Sequence, residues 1–109
     1  AAAVRDEQGR VFSGVNVENS NYAGTHCAER TAIVQAITHG SRRIDRVVVI
    51  TPTPEPCFPC GFCLQVIAEF QSATEVVSLN GDRTLFRFAR FEDLLPYAFT
   101  PEQLRQGKP

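Results

Sequence analysis

The sequence has 109 residues, with 11 Lys+Arg against 12 Asp+Glu and a formal net charge of −1. A chain of this length makes a single domain, here residues 1–109, and buries roughly two-thirds of its unfolded surface. Its 43% hydrophobic and 21% charged residues exclude disorder and collagen-like structure. Lys108 is the only lysine and no long basic run occurs, which argues against a dedicated nucleic-acid surface and for a small neutral ligand. The longest strongly apolar run, Val47 to Ile50, is far short of the roughly 20 residues of a membrane span, and no signal-peptide pattern opens the chain. A soluble cytoplasmic protein is expected. Met is absent, at position 1 included, so a segment is expected to precede Ala1.

No internal repeat or linker divides the chain. Ala1 to Arg5 and Arg10 to Val17 read as strands of a hairpin joined by Asp6-Glu7-Gln8-Gly9. Thr25 is placed to cap a helix in which Ala28, Ala32, Ile33, Ala36 and Ile37 share a face, and Gly40 ends it. Ile44 to Thr51 follows as a strand, apolar on both faces as a central strand covered by helices would be. Pro52, Pro54, Pro56 and Pro59 then impose a stiff extended loop. A second helix is expected from Cys60 to Phe70, with Leu64, Ile67 and Ala68 on one face. The strands Glu75 to Leu79 and Thr84 to Phe88 are separated only by Asn80-Gly81-Asp82-Arg83. That loop is too short for a parallel crossover, so the two must be antiparallel, with Phe86 and Phe88 expected in the core. Short helical pieces at Phe91 to Leu95 and Pro101 to Leu104 complete an α/β domain with helices on either side of a sheet.

The four cysteines, at 27, 57, 60 and 63, lack the secreted context of disulfides and point to metal or catalysis. Cys60-Gly61-Phe62-Cys63 opens a helix, where N–H groups and the macrodipole stabilise thiolates that share one ion. Cys27 opens the other helix. Together the three would make a three-thiolate site with one open position. Glu29, two residues after Cys27, would face that position, and a purely structural zinc has no need of it. A closed site completed by Cys57 would also satisfy the metal, but it leaves Glu29 without a task. His26 is out of phase with the ligand pattern and reads as a residue behind the ligands or an exposed one rather than as metal-bound. His39 reads as a surface residue near a helix end, and Arg42, Arg43 and Arg46 as a solvated cluster.

The strings Cys27-Ala28-Glu29 and Pro59-Cys60-Gly61-Phe62-Cys63 are similar to the zinc deaminase signature, in which a ligand, any residue and Glu precede Pro-Cys-x-x-Cys. Gly14-Val15-Asn16-Val17-Glu18-Asn19, Arg30-Thr31-Ala32, Gln65-Val66 and Leu94-Leu95-Pro96-Tyr97-Ala98-Phe99 extend the likeness over nearly the whole chain. The sequence resembles the cytidine deaminases that act on free nucleosides. This resemblance implies a three-layer α-β-α fold with a five-stranded mixed sheet whose last two strands are antiparallel, one Zn2+ per subunit, and a homotetramer. The short Asn80 loop agrees, since polynucleotide deaminases place a helix there.

The resemblance also implies roles for residues. Zinc held by Cys27, Cys60 and Cys63 activates water for attack on C4 of cytosine, while Glu29 moves the protons. Arg30 hydrogen-bonds the ligand thiolates, and the Ala28 N–H binds the base O2. Asn16 and Glu18, two apart on a strand and so on one face, bind the ribose hydroxyls. Phe99 reaches a neighbouring subunit's pocket and packs on the pyrimidine. Family members usually carry Arg directly after the last ligand, where this chain has Leu64. That departure leaves room for a modified cytosine nucleoside, such as a nucleoside antibiotic, as the substrate. The same motifs would also suit a non-catalytic zinc-stabilised module or a nucleic-acid-editing domain.

Overall fold

Alternating burial along β1 (Ala2–Asp6) points Ala2, Val4 and Asp6 inward, in a computed structural model that describes residues 1–107. The turn that follows is organised by the Asp6 carboxylate, which accepts from the backbone of Gln8 and Arg10, from the Arg10 guanidinium and from the Ser41 hydroxyl at 2.7–2.9 Å. Gly9 takes the positive φ of 79° that lets the chain reverse. The returning strand β2 (Val11–Gly14) is shorter than the expected run to Val17. The reason is Gly14, where a Cβ would lie 2.4 Å from the Ala32 nitrogen and 2.6 Å from the Ala28 oxygen. There the chain leaves the sheet to pass directly against the next helix, and Val17 pairs only with His26.

That helix, α1 (Ala28–Thr38), begins on Cys27 rather than on Thr25. The Thr25 hydroxyl instead accepts from the Asn19 N–H at 3.2 Å, inside the preceding loop. After β3 (Ile44–Ile50) and the proline loop come α2 (Gly61–Phe70), β4 (Gln71–Leu79), β5 (Phe86–Arg90), α3 (Phe91–Leu94) and α4 (Pro101–Gln106). The sheet order is β2-β1-β3-β4-β5. Only β3 and β4 run parallel, with Val47 beside Val76; β4 and β5 are antiparallel, with Val77 beside Phe88. This is the expected α/β cytidine deaminase-like fold, a five-stranded mixed sheet flanked by helices. No helix among the described residues is long and apolar enough to cross a membrane.

Val4, Val47 and Val76 form the floor on which Ala32, Ile33 and Ala36 of α1 and Leu64, Ile67 and Ala68 of α2 pack. Burial of each larger aliphatic side chain contributes about 1.5–3 kcal/mol. On β3 only this face is closed: Val47 and Val49 are buried, whereas Val48 and Ile50 are half-buried. Register carries the second face outward into Val48, Val77 and Phe88, and into Ile50, Leu79 and Phe86. Phe86 and Phe88, expected in the core, are therefore 71% and 51% exposed. Strand alternation paired them correctly with each other, but it assigned them to the wrong face.

Candidate active site

Helices ordinarily begin on Ser, Thr, Asp or Asn, whose side-chain oxygens close back on the first N–H groups. Both long helices here begin on cysteine. Cys27 caps α1 and Cys60 caps α2, each with extended backbone (ψ 154° and 170°) and neither side chain engaged in a capping bond. Their sulfurs are free to face one another, and Cys63 from the first turn of α2 joins them, all three Sγ atoms lying within 4.8 Å of one another. Thiolates sharing a tetrahedral zinc at Zn–S bonds of about 2.3 Å stand about 3.8 Å apart. The cluster thus fits such an ion. Among the described residues no fourth His, Cys, Asp or Glu joins it. Cys57 stays out: it is exposed, with its sulfur 3.6 Å from the Thr53 hydroxyl and from the Glu55 carbonyl.

The thiols differ in character. Backbone N–H groups of Cys63 and Phe62 draw the Cys60 thiol below its ordinary range, against a smaller opposing effect of burial. Burial pushes the Cys63 thiol strongly up, helped by the neighbouring Cys27 side chain and the Glu29 charge. Coordination to a metal ion would remove this difference, because a metal-bound thiol is deprotonated outright.

A cavity of about 450 Å³ opens beside the cluster, and Asn16, Cys27, Ala28, Glu29 and Cys60 are among its lining residues. Val49, Ile50, Thr51 and Pro52 from the end of β3, and Cys57, Phe58 and Pro59 from the proline loop, also line it. Glu29 is only 7% exposed and forms no ion pair among the described residues. A carboxylate withdrawn from water without a cation is costly, so its place beside three metal-binding sulfurs is informative. Ala28, 4% exposed, follows the cap, so its N–H is one of the first-turn donors that find no partner within the helix.

Two residues that sequence reasoning treated as ordinary strand and turn positions hold this wall in place. The Ser78 hydroxyl donates to the Cys57 carbonyl, and the buried Asn80 side chain donates to the Pro54 carbonyl at 3.1 Å while accepting from the backbone of Thr84 and Leu85. Asn80 was visible in the sequence only as a turn former. Its second task depends on contact with a segment some 26 positions away, which no local pattern records.

The remaining expected residues are distributed unevenly. Asn16 lines the cavity; Glu18, which is exposed, does not. Arg30 lies outside the lining, with its guanidinium 4.3 Å above the Phe62 ring and its Nη2 donating to the Thr25 carbonyl. Phe99 is 56% exposed, away from its own chain's cavity, and its carbonyl accepts from Gln65 Nε2 at 2.8 Å. His26 is exposed and outside the thiol cluster. Leu64, in the position where Arg was expected, is buried in the core.

Comparison with known proteins agrees with this geometry. The family described as the cytidine and deoxycytidylate deaminase zinc-binding region matches residues 1–79. The cytidine deaminase of Sporosarcina psychrophila is 41% identical over 103 residues, covering 94% of this chain and 76% of that protein. The crystal structure of cytidine deaminase from Burkholderia pseudomallei superposes with a TM-score of 0.83 at 40% identity, covering 90% of this chain and 79% of that one. Blasticidin-S deaminase of Bacillus cereus is more distant, 28% identical over 108 residues, with 91% and 75% covered. The family match, the two cytidine deaminases and a three-cysteine cluster suited to a metal ion lead to one conclusion: this chain is an enzyme of the zinc-binding cytidine deaminase family.

Proposed function

We propose that this chain hydrolyses cytidine and deoxycytidine to uridine and deoxyuridine, releasing ammonia, with Zn2+ held by Cys27, Cys60 and Cys63. The observation that carries the reading is the meeting of three sulfurs within 4.8 Å of one another with the buried Glu29 at one cavity. Zinc bound there supplies a Lewis acid that makes water nucleophilic near neutral pH. Glu29 is not needed as a ligand, so it is free to take the proton from the attacking water and deliver protons to ring N3 and the departing amine. Such general acid/base work is worth about 10²- to 10⁴-fold in rate. The Ala28 N–H donates to the base O2, the use to which free donors at helix starts are well suited. Asn16, on the cavity wall, and Glu18, two residues farther along, bind the ribose hydroxyls. Arg30 donates to the thiolates and offsets the formal charge of −1 that three of them give a zinc centre.

The subunits assemble as a homotetramer in which each cavity receives Phe99 from another chain. Support comes from Phe99 itself, which is exposed and does not line its own chain's cavity. A second reading, a modified cytosine nucleoside as substrate, draws on the likeness to blasticidin-S deaminase and on Leu64. Ultraviolet absorbance loss with cytidine, deoxycytidine and blasticidin S, measured on protein of known zinc content, decides between the two. Turnover of blasticidin S with none of cytidine would replace the first reading by the second. Glu29→Gln should retain zinc and fold while activity falls at least about 10²-fold; a rate near that of the wild type would remove Glu29 from the chemistry.

A further inference from the structure

We propose that Phe62 is a positioning residue of the metal centre, its ring holding the Arg30 guanidinium so that Arg30 Nε stays available to the ligand thiolates. The inference rests on the reading in which Cys27, Cys60 and Cys63 bind zinc. Phe62 sits between two of those cysteines in the first turn of α2, and Arg30 lies in the first turn of α1. The guanidinium carbon is 4.3 Å from the ring centroid, well inside the range in which a cation is attracted to an aromatic face. At one end Nη2 is tied to the Thr25 carbonyl. Ring and carbonyl together constrain both the height and the direction of the guanidinium plane.

What the restraint leaves over is the informative part. Arg30 Nε is the one buried side-chain nitrogen or oxygen without a hydrogen-bond partner among the described residues. A buried donor is normally paired, and a charged one left unpaired is especially unfavourable. In the metal-bound protein a ligand sulfur would be its acceptor. The ring has no competing task in the core, since Phe62 is 65% exposed while its helix neighbours Cys63 and Leu64 are buried. A flexible arginine could turn toward water; one stacked on Phe62 has lost most of that freedom before the metal arrives, so less entropy is spent on orienting it.

The test compares Phe62→Leu, which keeps apolar bulk but lacks an aromatic face, with Phe62→Tyr, which restores the face, each alone and with Arg30→Ala. Zinc transfer to a chromophoric chelator should be about two- to five-fold faster for Phe62→Leu, the factor expected of a partly exposed cation–π contact, and unchanged for Phe62→Tyr. In the Arg30→Ala background the Phe62→Leu change should add nothing. With cobalt(II) in place of zinc, the thiolate-to-metal charge-transfer band should shift in Arg30→Ala, shift partway in Phe62→Leu and stay in place in Phe62→Tyr. Wild-type zinc release and spectrum in Phe62→Leu would overturn the proposal, as would an equal Phe62→Leu effect with and without Arg30. Wild-type protein that takes up neither zinc nor cobalt would instead overturn the metal assignment on which the proposal stands.

Discussion

Cysteine at a helix start forgoes the bond that serine or aspartate would make there, at a cost of about 1 kcal/mol per helix. This chain accepts that cost twice, at Cys27 and Cys60, and in both cases the freed sulfur joins the same cluster. Position, more than residue type, separates these cysteines from Cys57, which sits in the same cavity wall but bonds only within its own loop. Cys57→Ser should therefore retain about one zinc per chain and close to full activity, whereas Cys60→Ser should lose most of its metal. Metal analysis of the two purified variants checks this, and equal loss in both would make Cys57 a ligand. Leu64 shows the opposite situation. Its burial beside Ile67 means that an arginine there would place a charge in the core facing α1, so the residue suits the packing of this chain.

At the scale of elements, the site depends on how closely β2 approaches α1 and on how firmly the first turn is tied. Gly14→Ala would set a methyl group 2.4 Å from the Ala32 nitrogen and 2.6 Å from the Ala28 oxygen, far inside van der Waals contact with the α1 backbone. Strand and helix must separate, and destabilisation of about 1–3 kcal/mol is expected from such overpacking. Because Asn16 follows two residues later, KM for cytidine should rise as well; a chemical-denaturation midpoint and KM equal to wild type would show that the approach is not needed. Asp6 ties β1, the turn and Ser41 together. Burial alone would raise its pKa, but hydrogen bonds from Ser41, Arg10 and Gln8 outweigh it and lower the value from 3.8 to about 2. The sign follows from linkage: a carboxylate with a depressed folded-state pKa contributes stability above its unfolded value, and that contribution is lost as pH falls from about 4 toward about 2. Denaturation midpoints should fall more steeply over that interval in the wild type than in Asp6→Asn, which should also be the less stable protein at pH 7. Parallel curves for the two proteins would assign the acid sensitivity elsewhere.

Across the whole molecule, exposed aromatic side chains are concentrated on β5 and on the tail. Phe86 and Phe88 continue the open face of the sheet, and Tyr97, with φ of +56°, and Phe99 project from the segment before α4. A bulky residue in the left-handed region is strained and persists only where its surroundings hold it. The Gln65 bond to the Phe99 carbonyl and the capping box at Thr100, in which its hydroxyl accepts from the Gln103 N–H and the Gln103 side chain accepts from its own, hold the ends of this segment. Burying Phe99 in a neighbour is worth roughly 1.5–3 kcal/mol, and stacking on a pyrimidine adds to it. If the cavity is shared between chains as proposed, inactive Phe99→Ala and Glu29→Gln proteins should regain activity when mixed, unfolded and reassembled. Mixed tetramers then contain some cavities with both residues intact. No recovery, with heterotetramers verified by mass spectrometry, would place Phe99 within its own subunit.

The local sequence was sufficient for features decided over short distances. The helix faces of Ala32, Ile33 and Ala36 and of Leu64 and Ile67 follow from a 3.6-residue period, and the antiparallel pairing of β4 with β5 follows from a loop too short to cross over. The short spacings Cys27-x-Glu29 and Cys60-x-x-Cys63, each at a helix start, were likewise legible, but that the two starts meet is decided by how α1 and α2 pack on the sheet. Local pattern could not say which side of the sheet is covered: alternation marks two faces but does not name the buried one, and so Phe86 and Phe88 came out exposed. Nor could it see that Gly14 ends β2 against a helix, that Ser78 and Asn80 anchor the cavity wall, or that Phe62 lies beneath Arg30. Each of these is a contact between segments well separated along the chain, and only tertiary packing fixes the distance between them.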